Sequence, residues 1–251
     1  MKAYYKICVL AIFILGIIAS AYAIKGYVGS KEVSPIVLVV LFIFIMGVFI
    51  FGLSFIEKFR ARVLKSFAEQ HGYNFSYEDR MEVTEKCDLT IGLNGKVATN
   101  VVSFRENNES YFIFTWGSTE RRYNVCLIET NTNFNCHILI LPLCKFPGAF
   151  KAVTAMAIST IRGLKEVKLN NPEFDSNFTL YTDNQSIASQ LLTDEVIRHT
   201  FEHLRKFRTG PTVWGLGENM IAVCSRKLHT NQEIEDLVNY SKELKNYLTK
   251  K

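Results

Sequence analysis

Residues 110–141, SYFIFTWGSTERRYNVCLIETNTNFNCHILIL, decide the fold class of this chain. Three runs in this stretch, at 110–116, 122–129 and 135–141, are dense in aromatic and β-branched residues, which favour β-strands. Polar residues separate the runs, and Pro142 ends the last one. The stretch therefore predicts consecutive strands of a sheet.

Asn94-Gly95 indicates a hairpin upstream of these strands. The dipeptide stands between the strand-like runs 88–93 and 96–105. Asn-Gly is typical of two-residue type I′ turns, because both central residues need a positive φ. We therefore predict a β-hairpin centred on Asn94-Gly95.

The second half of the chain alternates between strand and helix patterns. Residues 149–161 favour a helix over a strand. The further elements predicted are strands at 164–169 and 177–181, a helix at 184–192 capped by Thr182 or Asp183, a helix at 194–207 capped by Thr193, a turn at Gly215–Gly217 between two short strands, and a helix at 231–248. Strands followed by helices predict an α+β fold with a mainly antiparallel sheet.

Two uncharged hydrophobic runs precede this domain. They predict membrane helices at about residues 7–24 and 34–56, since about 20 apolar residues span a bilayer. The first run ends in Ala21-Tyr22-Ala23, a small-x-small pattern that is also typical of signal cleavage sites. Two alternatives stay open for this run: a retained transmembrane helix, which its length favours, and a signal cleaved after Ala23.

Basic residues next to the second run indicate its orientation. Lys58, Arg60, Arg62 and Lys65 follow it directly. The positive-inside bias places the N-terminus and the C-terminal domain in the cytoplasm and residues 25–32 outside. The same cluster can also hold the domain against anionic headgroups, so the lipid bilayer is an expected partner.

Residues 57–72 are predicted to form a stalk helix between a membrane anchor, 1–56, and a cytoplasmic domain, 73–251. Five apolar residues recur on one face of this helix. They are Phe59, Val63, Leu64, Phe67 and Ala68. Gly72 stands where a C′ glycine ends a helix. The stalk is therefore expected to pack on the domain's own core.

The net charge of the predicted domain limits the kinds of partner that it can be expected to bind. From Glu57 onward the chain has 25 basic and 23 acidic residues, a net formal charge of +2. A charge that small gives no support for a nucleic acid partner, which needs a basic face.

The six cysteines form no C-x-x-C pair, and we expect buried, reduced thiols. They are Cys8, Cys87, Cys126, Cys136, Cys144 and Cys224.

The stretch His199-Thr200-Phe201-Glu202-His203 is the sharpest candidate for chemistry. H-x-x-E-H is the inverted zinc-protease motif, in which two histidines one helical turn apart bind zinc and the glutamate activates water. No downstream motif supplies a third ligand. The stretch is therefore an alternative only, and apart from zinc under this alternative no cofactor is expected.

Apolar residues of the same helix predict where these histidines point. The expected buried stripe consists of Val196, Ile197, Phe201 and Leu204. His199 and His203 then fall toward the polar side of the helix, where they would be solvated. This orientation favours a binding protein over an enzyme.

Residues 164–196 resemble an uncharacterised bacterial membrane-protein family, one of the groups called domains of unknown function. The shared pattern, F-x-x-x-F-x-[VL]-Y-x-x-[DN]-x-x-x-A-x-x-L-L-[ST], covers residues 174–193. The matching positions are Phe174, Phe178, Tyr181, Asn184, Ala188, Leu191, Leu192 and Thr193, and Leu169 matches a further position of the family pattern upstream of them. The resemblance implies a membrane-anchored cytoplasmic α+β domain in the bacterial inner membrane, and it supplies no activity.

Three function classes follow, in order of preference. The first is a non-enzymatic binding or scaffold module of the inner membrane with a protein partner. The second is a metal-dependent hydrolase that uses residues 199–203. The third is a sensor of a small ligand, which a ligand-induced rise in melting temperature would support.

Overall fold

A nine-stranded antiparallel sheet organises the described part of the chain. The computed structural model describes residues 58–77, 81–91, 97–117, 122–143, 163–207, 213–225 and 230–250. All of them except Lys58 belong to one unit, Phe59–Lys251. The elements are α1 (58–71), β1 (Asn74–Ser76), α2 (Met81–Ile91), β2 (Val97–Glu106), β3 (Glu109–Gly117), β4 (Arg122–Glu129), β5 (Ile138–Pro142), β6 (Lys165–Val167), α3 (Pro172–Asn177), β7 (Phe178–Thr182), α4 (Gln185–Leu191), α5 (Asp194–Lys206), β8 (Trp214–Leu216), β9 (Met220–Ser225) and α6 (Asn231–Thr249).

The strands follow the order β1-β2-β3-β4-β9-β8-β5-β7-β6 across the sheet. Every pairing between described strands is antiparallel. The strand predicted at 122–129 is β4, and the strands predicted at 110–116 and 135–141 overlap β3 and β5. The predicted α+β class with a mainly antiparallel sheet is therefore confirmed.

Helix α1 packs on the sheet and ends at Gly72. Leu64, Phe67 and Ala68 are buried on its inner side. Gly72 has a φ of +69°, and the Tyr73 N–H donates to the Ala68 carbonyl at 2.9 Å. This hydrogen bond joins the C″ and C3 positions of a Schellman motif. The apolar stripe and the terminal glycine expected from the sequence are both observed.

The hairpin predicted at Asn94-Gly95 is wrong in its first strand. Most of the run 88–93 belongs to helix α2, and residues 92–96 lie outside the described ranges. Val83 and Cys87, four residues apart, are buried on one side of this helix. Helical spacing of these residues and packing against the sheet outweigh the strand preference of Thr90 and its neighbours.

A two-residue turn does occur, but it lies at Asn107-Asn108. The two residues have φ values of +52° and +65°, and Glu106 pairs with Glu109 across the turn. Both φ values match a type I′ turn, which asparagine tolerates better than most residues. The β2–β3 hairpin therefore uses Asn-Asn.

The sheet separates two hydrophobic cores. The larger core lies under α1, α5 and α6, and it also includes Phe174 of α3 and Ala188 of α4. The smaller core lies on the other face, where α2 contributes Val83 and Cys87. Side chains of one strand alternate between the two cores, as the period of two requires.

Strand β7 illustrates this alternation. Phe178 and Leu180 face the larger core, and Tyr181 faces the smaller one. This distribution is the alternation expected of the strand predicted at 177–181. Phe174 is fully buried, with its ring centroid 4.9 Å from that of Phe178.

Side-chain caps begin the helices that follow β7. The cap of α4 is Asn184, which accepts from the Ile187 N–H at 3.2 Å, so the predicted cap at Thr182 or Asp183 is wrong by one or two positions. Thr193 accepts from the Val196 N–H at 3.4 Å and caps α5 as predicted.

Gly215 brings α2 close to the sheet. This residue was expected in a turn, but it lies within β8. A Cβ atom at this position would lie 2.4 Å from the Thr90 carbonyl oxygen of α2. Glycine is therefore the residue that permits this packing distance.

Several predictions fall outside the described residues. They are the membrane helices at 7–24 and 34–56, the cleavage site at Ala23 and the helix at 149–161. Among the described residues, none of the helices has the length and apolar content needed to cross a membrane.

Candidate functional site

The two histidines of the H-x-x-E-H stretch lie on the buried side of α5. His199 is 3% exposed and His203 is fully buried. The prediction that they occupy a solvated face is therefore wrong. Val196 and Thr200 share the buried side with them, whereas the predicted stripe residues Ile197, Phe201 and Leu204 are only partly buried.

His199 is held by Tyr240 of α6. The His199 Nε2 donates to the Tyr240 carbonyl oxygen at 3.1 Å, and the Tyr240 hydroxyl donates to the His199 carbonyl oxygen at 3.0 Å. The two rings stack with centroids 3.9 Å apart. Glu202 and Glu243 lie near the His199 Nδ1, at 3.5 Å and 3.9 Å. His199 therefore joins α5 to α6 through reciprocal hydrogen bonds.

His203 is a neutral ring inside the core. Neither ring nitrogen forms a well-aligned hydrogen bond with the described residues. Burial lowers the pKa of His203 to about 3; the nearby backbone of Cys224 opposes this shift and His199 adds to it. The ring contacts Tyr240 edge-on, with centroids 5.0 Å apart. At neutral pH this imidazole carries no charge.

Further polar groups continue this buried cluster toward the sheet. The Trp214 Nε1 donates to the Thr200 hydroxyl at 3.0 Å, and that hydroxyl donates to the Val196 carbonyl oxygen at 2.8 Å. Cys126 lies near Ser241, and burial raises the pKa of its thiol to about 12. These polar groups have their partners within the protein, and the contacts hold the helices on the sheet.

The positions of His199, Glu202 and His203 bear on the hypothesis that this stretch binds zinc. Glu202 is 57% exposed, whereas the two histidines point into the protein. Within the described ranges, no three His, Cys, Asp or Glu side chains are placed to hold a metal ion. Direct metal analysis of the protein is the test of this alternative.

The basic cluster after the predicted membrane segment lies on α1. Lys58, Arg62 and Lys65 are exposed, and Arg60 is half-buried. Lys65 also lies 3.7 Å from Glu69 in an exposed i,i+4 pair. The cluster therefore forms the outer side of the helix whose inner side enters the core.

A histidine–aspartate pair was missed by the sequence analysis. The His137 Nδ1 lies 2.8 Å from one Asp183 oxygen, and the His137 N–H donates to the other oxygen at 2.8 Å. The neighbouring Cys136 is buried, and burial raises the pKa of its thiol to about 11. The pair therefore ties the start of β5 to the end of β7, beside a thiol that burial favours in its protonated form.

The fold and the buried cluster define a class of protein: an α+β domain with an antiparallel sheet and a polar helix interface. Residues 125–248 match the family model described as a protein of unknown function, DUF3137. The match spans just under half of the chain and includes β9 and α5, most of β4 and nearly all of α6. The resemblance to a domain of unknown function is confirmed at this level, while the membrane anchor and the 174–193 pattern stay predictions.

One solved structure supports the fold. The chain is similar to the crystal structure of the mycobacterial trehalose monomycolate transport factor A, TtfA. The TM-score is 0.51 with 14% sequence identity, over 75% of this chain and 94% of that chain. No curated protein matches the chain by sequence. At this identity the likeness concerns the fold alone.

Proposed function

We propose that this protein is a non-enzymatic binding or scaffold module, tethered to the inner membrane with its domain on the cytoplasmic side. The observation that carries the proposal is the double role of α1. Its exposed side has the basic residues expected next to a membrane, and its inner side is part of the domain core. The chain that leaves the predicted membrane segment is thus built into the folded domain.

The core contacts of α1 hold this helix on the domain. Leu64 and Phe67 are each 2% exposed. Full burial of a Leu or Phe side chain contributes about 1.5–3 kcal/mol, so these two residues contribute about 3–6 kcal/mol. Detaching α1 would expose both of them to water. A helix that is part of the domain core suits a module that is held near a membrane and presents a surface to a partner.

The use of these polar side chains within the core favours a non-enzymatic role. His199, Thr200 and Tyr240 direct their polar atoms at one another or at backbone groups, and His203 is held neutral. A side chain used in this way stabilises the helix interface. The similar mycobacterial protein is described as a transport factor, and a binding or scaffold role is compatible with that description.

In vivo photo-crosslinking of the full chain tests the binding role. A photoreactive residue would replace exposed positions one at a time, such as Arg62 on α1, Glu202 on α5 and Asn131 after β4. We expect at least one position to give the same discrete adduct, larger than the monomer, in every repeat. The unsubstituted chain is the control. Recovery of monomer alone from every exposed position contradicts a binding function.

Metal analysis separates this proposal from the hydrolase alternative. The purified full chain is expected to contain no stoichiometric zinc, because His203 lies with its ring inside the core. A one-to-one zinc content that His203→Ala abolishes, while Glu202→Gln retains it, would instead support the metal site.

A further inference from the structure

The ring of His199 lies between α5 and α6, and its two nitrogen atoms have different surroundings. Its Nε2 is directed at the Tyr240 carbonyl oxygen, 3.1 Å away. Its Nδ1 faces two carboxylates, which belong to Glu202 on α5 at 3.5 Å and to Glu243 on α6 at 3.9 Å. Both distances are within the limit of about 4 Å for an ion pair.

The Tyr240 carbonyl fixes the position of one proton on the His199 ring. A carbonyl oxygen only accepts, so the Nε2 donates to it in both charge states of the ring. In the neutral ring the Nδ1 then has a lone pair, which faces two carboxylates that also only accept. In the charged ring the Nδ1 has a proton, and the same carboxylates attract it. The surroundings of the Nδ1 therefore favour the charged ring over the neutral one.

Two tyrosines of α6 supply the other ring contacts. Tyr240 stacks on the imidazole with an angle of 6° between the planes, and the Tyr247 ring lies edge-on with its centroid 5.3 Å away. A cation over the face of a tyrosine ring is attracted by that ring. Burial, with Glu202 and Glu243 adding to it, raises the pKa of Tyr240 well above its ordinary value, so its hydroxyl stays protonated. The stack therefore also favours a charged imidazole.

Burial and screening oppose these effects. His199 is buried, and burial disfavours the charged form of an imidazole. The side chains of Glu202 and Glu243 are 57% and 62% exposed, so salt screens their attraction. His203, one turn further along α5, adds no charge, because burial lowers its pKa to about 3. Among the described residues, none from the sheet forms a hydrogen bond, ion pair or ring contact with His199, so the charge balance is set by α5 and α6.

We propose that His199 is a proton-dependent latch between α5 and α6. In its charged form the ring is held by the carboxylates of Glu202 and Glu243, and the two helices stay joined. Loss of the proton leaves the Nδ1 lone pair facing both carboxylates, so the junction loosens as the pH rises. This inference goes beyond the proposed function and does not depend on the membrane tether. It adds a way in which proton concentration changes the α5–α6 side of the domain.

NMR of the full chain in detergent tests the latch. Histidine labelled with ¹⁵N in the ring reports the protonation of each ring nitrogen, and amide hydrogen exchange reports local opening of α5 and α6. The double variant Glu202→Gln/Glu243→Gln removes both charges and keeps the side-chain size at two exposed positions. Glu235→Gln is the matched control, because Glu235 also lies on α6 and its carboxylate is 3.1 Å from a different histidine, His71.

Between about pH 6 and pH 9 we expect the Nδ1 of His199 to lose its proton while the Nε2 keeps its own. After correction for hydroxide catalysis, the amides of α5 and α6 should exchange roughly threefold faster or more in the neutral state. The double variant should move the midpoint of this titration to lower pH by roughly half a unit or more, and Glu235→Gln should leave it in place.

Three results would contradict the latch. An unchanged midpoint in the double variant would remove the role assigned to the carboxylates of Glu202 and Glu243. Amide exchange that does not follow the charge of the ring would show that the junction is indifferent to the proton. A neutral ring with its proton on the Nδ1 would overturn the donor role of the Nε2 on which the inference is based. None of these results bears on the membrane tether, so the two proposals can fail separately.

Discussion

Replacement of His203 by leucine should remove an acid-sensitive element from the core. The ring is fully buried, and burial lowers its pKa to about 3 from an ordinary value of 6.5. The unfolded chain therefore binds a proton between these values that the folded chain does not. Stability is fully present above the unfolded pKa and is lost as the pH falls toward the folded pKa. Leucine has a similar volume and does not titrate.

The pKa shift sets the size of this effect. One pKa unit corresponds to about 1.4 kcal/mol. At pH 5, about 1.5 units below the unfolded pKa, the native histidine costs about 2 kcal/mol, and at pH 7 it costs almost nothing. His203→Leu should therefore gain about 2 kcal/mol relative to the parent when the pH falls from 7 to 5. Loss of a side chain without a well-aligned hydrogen bond should itself be nearly neutral at pH 7.

Urea unfolding of the full chain in detergent measures both values. Trp116 and Trp214 are fully buried, so intrinsic fluorescence reports the unfolding of the sheet. The difference between variant and parent cancels the titration of groups that do not interact with His203. A difference that stays constant within about 0.5 kcal/mol from pH 7 to pH 5 would refute the buried, neutral state of His203.

Two further predictions concern packing and thiol reactivity. Gly215→Ala should lower the free energy of unfolding by about 1–3 kcal/mol, because its Cβ meets the Thr90 carbonyl oxygen at 2.4 Å. Gly217→Ala, whose Cβ finds its nearest atom at 3.6 Å, is the control and should change little; equal effects in urea unfolding would exclude the close approach of α2. Cys126 and Cys136, with pKa values raised to about 12 and 11 by burial, should resist alkylation at pH 8 until urea unfolds the chain. Mass spectrometry showing rapid labelling of either thiol in folded protein would contradict their burial.

The sequence was sufficient where local chemistry determines the structure. The stripe of α1, its terminal Gly72 and the cap at Thr193 depend on residues within a few positions of each other. The same is true of the strand at 122–129, where alternation places side chains on two faces. In these segments local preference and tertiary packing favour the same structure.

The α2 error shows where local preference failed. Asn94-Gly95 and the β-branched residues before it favour a hairpin, and the helical spacing of Val83 and Cys87 is a weak signal over so few residues. The factor that favours the helix is distant, because Gly215 of β8 leaves room for the helix backbone. No local pattern connects these positions.

The orientation of α5 was missed for a related reason. Its most apolar residues, including Ile197 and Phe201, lie at the margin of the core, and the helix is turned so that His199 and His203 face inward. That orientation is favourable because Tyr240, about forty positions later in the chain, supplies the partners of His199. Hydropathy alone treats a histidine as polar and cannot anticipate a ring that packs in the core.

The most direct test of the central claim is protease treatment of intact spheroplasts that contain the full chain with a C-terminal epitope. The account predicts that the domain and its epitope survive external protease and are digested only after the membrane is permeabilised. A periplasmic protein that is digested and a cytosolic protein that is protected serve as controls. Loss of the epitope from intact spheroplasts would place the domain outside the cytoplasm and contradict the account.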